Sequence, residues 1–251
     1  MPASLYPACT AEAQPVGRRP DQGTASRPRL NFGACPGIEG VACHPREHAR
    51  KPFSMLNAAA AEHTPDMGTA LAKPATYEDL LQVPEHRVAE ILNGELHTHP
   101  RPSPRHARAA SALGGKLSDP FDIGRGGPGG WWILGEPEIH LDDQVIVPDL
   151  AGWRRERLPA LPDSAWIDLA PDWVCEILSA STAKTDRTIK VPLYAIHEVA
   201  WLWLIDPTLK TLEAFVLRGG RWTIEATLGD SDTVALPPFE ACPFPLSDLS
   251  P

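Results

Sequence analysis

Val147-Pro148-Asp149, then Trp173-Val174-Cys175-Glu176-Ile177-Leu178, then Asp186-Arg187-Thr188-Ile189-Lys190 are the three stretches on which the reading of this chain turns. Each acid of the first two stretches sits at or just beyond a short apolar run bounded by turn-forming residues, the pattern of a buried strand. The polar stretch 179–185 reads as a turn, and a helix is expected to begin near Asp186. Asp186, Lys190 and Tyr194 stand four residues apart and so share one face of that helix. Pro192 predicts a kink or a restart in it. A carboxylate inside a buried strand is costly unless it is paired or bound to a metal. Asp and Glu oxygens are the ligands a hard cation such as Mg²⁺ prefers, and a nearby ammonium can hold a water or a phosphate oxygen. Blander readings compete: an Asp after Pro is often a turn or cap, a strand Glu is often paired with Arg, and Asp186 and Lys190 could form a surface ion pair.

Working outward, Thr76-Tyr77-Glu78-Asp79 has the form of a helix start with reciprocal capping. The stretch 88–98 reads as a hairpin, because Asn93-Gly94 supplies the two positive φ values of a type I′ turn, with Glu90 mid-strand. Ser103-Pro104-Arg105 opens a second helix carrying His106, Ala109, Ala110 and Leu113, weakened by Gly114-Gly115; a Gly-rich loop is expected from Ser118 to Gly130. Three strand pieces follow, at 131–134, 138–141 and 145–147, the last two joined through Asp142-Asp143. Trp153-Arg154-Arg155-Glu156-Arg157 clusters cations beside an indole. It reads either as a solvated charged loop or as a place where arginines meet phosphates and Trp153 stacks a base. A strand over 201–206 and a hairpin through Arg218-Gly219-Gly220-Arg221 end the pattern.

Composition sets the bounds. Residues 1–66 are rich in Pro, Ala and Arg, hold three of the five cysteines and lack a sustained apolar period, so they read as a disordered extension or a start codon placed too early. Residues 67–251 then form one domain with room for a single core. Cys35, Cys43, His44 and His48 lack the close Cys pair of a zinc site. Cys175 and Cys242 fall in or near apolar runs, which suits a reducing cytoplasm. No run is long enough for a membrane span, and no cleaved signal is evident. Net charge is −9, and after residue 66 acids outnumber bases by 26 to 16. That is not the footprint of a tight, non-specific DNA binder. The Gly-rich loop carries no phosphate-binding fingerprint.

Taken together, Ala75–Leu81, Ala89–Leu96, Pro102–His106, Val147–Leu150, Pro171–Ser179, Ser181-Thr182, the spaced Asp186, Lys190 and Tyr194, and Trp203–Pro207 resemble, in this order, the Uma-two family of "putative endonucleases" within the PD-(D/E)xK superfamily. The resemblance implies an α/β, restriction-endonuclease-like fold: a mixed central β-sheet flanked by helices, with an α-β-β-β-α-β core and extra β-hairpins. It implies a Mg²⁺- or Mn²⁺-dependent endonuclease acting on nucleic acid, DNA in the first instance. Asp149 and Glu176 match the metal-binding acids, and Glu90 an early acidic position that could extend the metal shell. Leu178 stands where the superfamily pattern has Lys, so Lys190 on the following helix becomes the stand-in. Ala180 replaces the Pro of the family's usual Ser-Pro-Ser-Thr turn. His106 matches a family position. His106, Arg154, Arg155 and Tyr194 are the candidate substrate contacts. A homodimer is compatible with such folds, because cutting two strands takes two sites. A catalytically silent nuclease-fold module that binds a nucleic acid or protein partner is the competing class, and a self-associating protein with exposed tryptophans a third.

Overall fold

The computed structural model describes residues 73–250; the extension read over 1–66 and its Cys and His residues lie outside them. Local chemistry sets the first elements. Thr76 caps α1 (Tyr77–Leu81) by accepting the Asp79 N–H, while its own N–H donates to Asp79 Oδ2 at 2.8 Å. Asn93 and Gly94, at φ 54° and 77°, turn β1 (Arg87–Leu92) into β2 (Glu95–Pro100). Ser103 caps α2 (Pro104–Leu117), with Pro104 in its first turn. The expectation of a loop from Ser118 is corrected here. The chain runs through Gly114-Gly115 and continues as a π-helical turn over Ser118–Ile123, stopped by Gly124 at φ 78°. The buried stripe of His106, Ala109, Leu113 and Leu117 spans the glycine pair. Its packing outweighs the roughly 1 kcal/mol that each glycine costs a helix.

Six strands form the central sheet: β3 (Trp131–Gly135), β6 (Leu150–Arg154), β7 (Trp173–Ile177), β8 (Trp201–Asp206), β9 (Thr211–Arg218) and β10 (Arg221–Leu228), in the order β10-β9-β8-β7-β6-β3. Neighbours are antiparallel except β7 and β8, which are parallel and joined by a helical crossover. That crossover is α3 (Ala183–Thr185), a π-helical turn (Asp186–Lys190) and α4 (Val191–Ile196). It starts three residues before the expected Asp186. Pro192 does not break it, because the widened turn lies just ahead of the proline, whose missing N–H and bulky ring disturb regular α-helix bonding. The path α2-β3-β6-β7-crossover-β8 is the expected α-β-β-β-α-β core. Inserted between β3 and β6, β4 (Ile139–Leu141) and β5 (Gln144–Ile146) pair with each other, and β5 pairs with β1, in a second sheet ordered β2-β1-β5-β4.

Alternation along β7 decides the layers. Trp173, Cys175 and Ile177 face α2, with Leu113, Leu117, Phe239 and Trp203 around them. Val174 faces the other way, into a cluster with Trp153, Leu193, Tyr194, Leu202 and Leu204. Glu176, two residues from Val174, points to that same crossover side. Gly152 in β6 lies where a Cβ would meet Ile133, Trp131 and Trp173 at 3.2–3.3 Å. Trp131, Trp153, Trp173 and Trp203 are buried, and Trp132, Trp166, Trp201 and Trp222 are partly buried. Among the described residues no tryptophan is more than partly exposed.

Candidate functional site

The site lies on the seam between the two sheets. Val147-Pro148-Asp149 carries the chain from β5 to β6, so Val147 borders one sheet and Asp149 the other. Pairing of Leu150 with Cys175 brings Asp149 beside the end of β7, where its Oδ2 accepts the Ile177 N–H at 2.6 Å. His106, on the first turn of α2, places Nε2 3.2 Å from the same Oδ2. Burial works against charge on this imidazole, but the hydrogen bond with Asp149 and the carboxylate's charge outweigh it, and the pKa of His106 is raised.

From the second sheet comes Glu90, buried on β1. Its Oε1 accepts the Val147 N–H at 2.9 Å and lies 3.0 Å from Lys190 Nζ. The same ammonium is 2.8 Å from Glu176 Oε1 and donates to the Val147 carbonyl at 3.1 Å. Tyr194 OH donates to Glu176 Oε1 at 2.5 Å. Burial opposes charge on Lys190, yet Glu176 and Glu90 more than offset it and hold its pKa well above the ordinary value. Burial also pushes the Glu176 carboxyl well above the usual carboxylate range, against the pull of Lys190, and Asp186, Asp149 and Glu90 push the same way. Asp186 is raised to about 6, again by burial first. Tyr194 is raised well above its ordinary value by burial and by Glu176, and so stays a neutral donor.

A cleft of about 380 Å³ opens over these groups. Asp149, Glu176, Asp186, Lys190 and His106 line it, walled by 99–103 on one side and 179–182 on the other. Of the residues expected at the site, Asp149, Glu176, Lys190 and His106 therefore meet in one place. Glu90 does not line the cleft and stands behind the Lys190 ammonium. Tyr194 is fully buried behind Glu176. Arg154 and Arg155 are not brought to the cleft. They lie at the far end of β6 from Asp149, Arg154 over the rings of Trp131 and Trp201, Arg155 over Trp132 and bonded to Asp122. Trp153 is fully buried and donates its ring N–H to the Leu169 carbonyl, so it offers no face to a base.

Sequence reasoning passed over Asp186 as a site group, although its spacing from Lys190 had been seen. It also missed His99, which shares the Glu90-facing side of β2 with His97, and the 179–182 wall. That wall is held by Ser179 Oγ at 3.0 Å from both the Ser181 and Thr182 hydroxyls.

The donor set suits a hard divalent cation. Asp149 Oδ1 and Glu176 Oε2 carry no hydrogen bond among the described residues, both side chains line the cleft, and carboxylates outnumber the cations around them. Among the described residues no three His, Cys, Asp or Glu side chains are grouped as a metal-holding set. The expected trio of Asp149, Glu176 and Glu90 is not assembled, because Lys190 stands between Glu90 and Glu176.

The family model Uma2, described as "Putative restriction endonuclease", matches residues 74–246. This chain belongs to the Uma2 family. A crystal structure of "a putative nuclease belonging to DUF820" from Anabaena variabilis resembles the Uma2 chain with a TM-score of 0.57 at 22% identity, over 70% of this chain and 97% of that one. With the core topology above, the fold is restriction-endonuclease-like. No curated protein matches the chain. Among the described residues no helix is long and apolar enough to cross a membrane.

Proposed function

We propose that this Uma2 chain is a metal-dependent endonuclease that hydrolyses phosphodiester bonds in nucleic acid, DNA in the first instance. One observation carries the reading: Asp149, just ahead of β6, and Glu176, on the adjoining β7, each keep a carboxylate oxygen unbonded among the described residues, in a cleft that also contains a buried lysine. Mg²⁺ or Mn²⁺ held by Asp149, Glu176 and the main-chain carbonyl of Ile177 would supply Lewis-acid activation of the phosphodiester and of water. The chain's own groups prepare that site. The Ile177 N–H and His106 fix the Asp149 carboxylate; Tyr194 and Lys190 fix Glu176; Lys190 offsets negative charge next to the scissile phosphate. The walls 99–103 and 179–182 would flank the nucleic acid backbone. With so acidic a chain, phosphate contacts rest on the few cations near the cleft, and binding should weaken only shallowly with salt. Both described cysteines are buried, in keeping with a reducing compartment such as the cytoplasm. Cleavage of both strands of a duplex would take a homodimer or two encounters.

The enclosure of Lys190 and the missing three-ligand set favour a second reading, a silent binding module. Incubation of the full chain with DNA and RNA in Mg²⁺ or Mn²⁺, beside Asp149→Ala, separates the two. The nuclease reading expects metal-dependent products from wild type alone, with the variant folded. Equal cleavage by the folded variant would sink the assignment, and metal-independent binding without cleavage would favour the module. Metal should also raise the melting temperature of wild type alone, by the equivalent of about 2.7 kcal/mol at a hundred times Kd.

A further inference from the structure

Three oxygens crowd the Lys190 ammonium: Glu90 Oε1 at 3.0 Å, Glu176 Oε1 at 2.8 Å and the Val147 carbonyl at 3.1 Å. An ammonium has three N–H bonds and no acceptor capacity. The side chain is 3% exposed, so neither a water nor a phosphate oxygen has room against Nζ unless one of the three gives way. Glu90 is the hub of this cage. The one oxygen that faces Lys190 also accepts the Val147 N–H, closing a ring of Glu90, Val147 and Lys190 across the mouth of the Val147-Pro148-Asp149 link. We propose that Glu90 is a positioning residue and not a metal ligand: it clamps Lys190 against Glu176, and Lys190 acts on the reaction by orienting that carboxylate, not by binding the attacking water.

The proposal rests on the nuclease reading for its kinetic consequence, but its geometry can be tested without it. A ligand needs the charge of Glu90; a clamp needs only an oxygen acceptor. Glu90→Gln keeps the acceptor, and Glu90→Ala removes it. With the full chain, Glu90→Ala should lower kcat by about 10–100-fold, the usual effect of losing a group that orients a ligand. Mn²⁺ affinity measured by calorimetry without nucleic acid should fall far less than in Asp149→Asn, because only the orientation of a ligand is disturbed and no ligand is lost. Glu90→Gln should recover most of the lost kcat, and excess Mn²⁺ should restore neither variant. In protein carrying ¹⁵N-lysine, the enclosed Lys190 ammonium should give a ¹H–¹⁵N cross-peak, identified by its absence from Lys190→Arg and unchanged by Mg²⁺.

Loss of Mn²⁺ affinity in both Glu90 variants as large as in Asp149→Asn, repaired by excess Mn²⁺, would make Glu90 a ligand and overturn the proposal. Absence of the cross-peak from wild type, a sign of rapid exchange with water, would overturn it as well. If wild type cleaves nothing, the nuclease reading falls, while the cross-peak and the Mn²⁺ affinities still decide the role of Glu90. If Glu90→Ala does not fold, the glutamine variant and the wild-type cross-peak decide it.

Discussion

Replacing Lys190 by Met should destabilise this protein far more than it changes its shape. Met fills much of the same volume, but the substitution leaves Glu90 and Glu176, each with a side chain 2% exposed, facing one another's charge without a cation. Breaking a buried ion pair from one side typically costs 3–5 kcal/mol, because an uncompensated charge remains in low dielectric. Here a single ammonium serves two carboxylates, so the upper part of that range applies. For a domain of this size each kcal/mol moves the melting temperature by about 2–4 °C, giving a fall of roughly 8–20 °C. The measurement is thermal unfolding by circular dichroism, for wild type and Lys190→Met, at pH 7 with chelator present. The deficit should narrow as the pH is lowered, because the stranded carboxylates then bind protons that the unfolded chain has not yet bound. Adding Glu90→Gln should recover part of the loss by removing one of the two charges. A variant that melts within about a degree of wild type, below the effect of even 1 kcal/mol, would refute the ion cage.

Further outcomes follow from the same geometry. His106→Ala, which frees Asp149 Oδ2 of one neighbour, should weaken Mn²⁺ binding or kcat by about 10–100-fold; equilibrium binding and initial rates check it. Gly152→Ala should destabilise by about 1–3 kcal/mol in denaturant unfolding, since its methyl group meets three fixed core side chains. Asp186 titrates near 6 in the folded chain against 3.8 as its reference value. The folded state thus holds the extra proton between these values, and the contribution of Asp186 to stability declines as pH rises from about 4 to 6, by up to about 3 kcal/mol. Metal-free Asp186→Asn should therefore gain on wild type through that window, and parallel pH profiles of the two would contradict the shift. Arg155→Ala, which severs contacts to Asp122 and the Trp131 carbonyl, should lower stability while leaving nucleic acid affinity as it was.

The parts of the fold legible in the sequence were those fixed by neighbours along the chain. Asn93-Gly94 announced a hairpin because both residues must take positive φ, and Thr76 with Asp79 announced a helix start because each satisfies the other's orphan N–H. Ser118–Ile123 was misread because composition near Gly114-Gly115 suggests a break, whereas Leu113 and Leu117 bury the helix through it. The strand pieces at 131–134 and 145–147 were both found, but alternation says nothing about which sheet a strand joins. At the site, Asp149, Glu176 and Lys190 could be named from their setting in apolar runs. What could not be seen was the partner of each. Glu90 meets Lys190 across a hundred residues of chain, and Trp153, which composition offers as a stacking surface, is sealed beneath the crossover helix by the register of β6.

The widened turn at Asp186–Lys190 has an evolutionary and an engineering meaning. A π-turn is an α-helix carrying one additional residue. The looser winding of the turn over Asp186–Lys190 absorbs the roughly 100° of rotation that an added residue would otherwise impose on everything beyond it. Without that absorption Lys190 and Tyr194, anchored from α4, would keep their partners, while Asp186 and the 179–182 wall would be turned away or drag the end of β7 with them. The inserted residue thus works as a phase adjuster between two rigid parts. Length changes in this segment should be tolerated only in steps that return the helix to register, so natural relatives and designed variants alike should vary its length hardly at all.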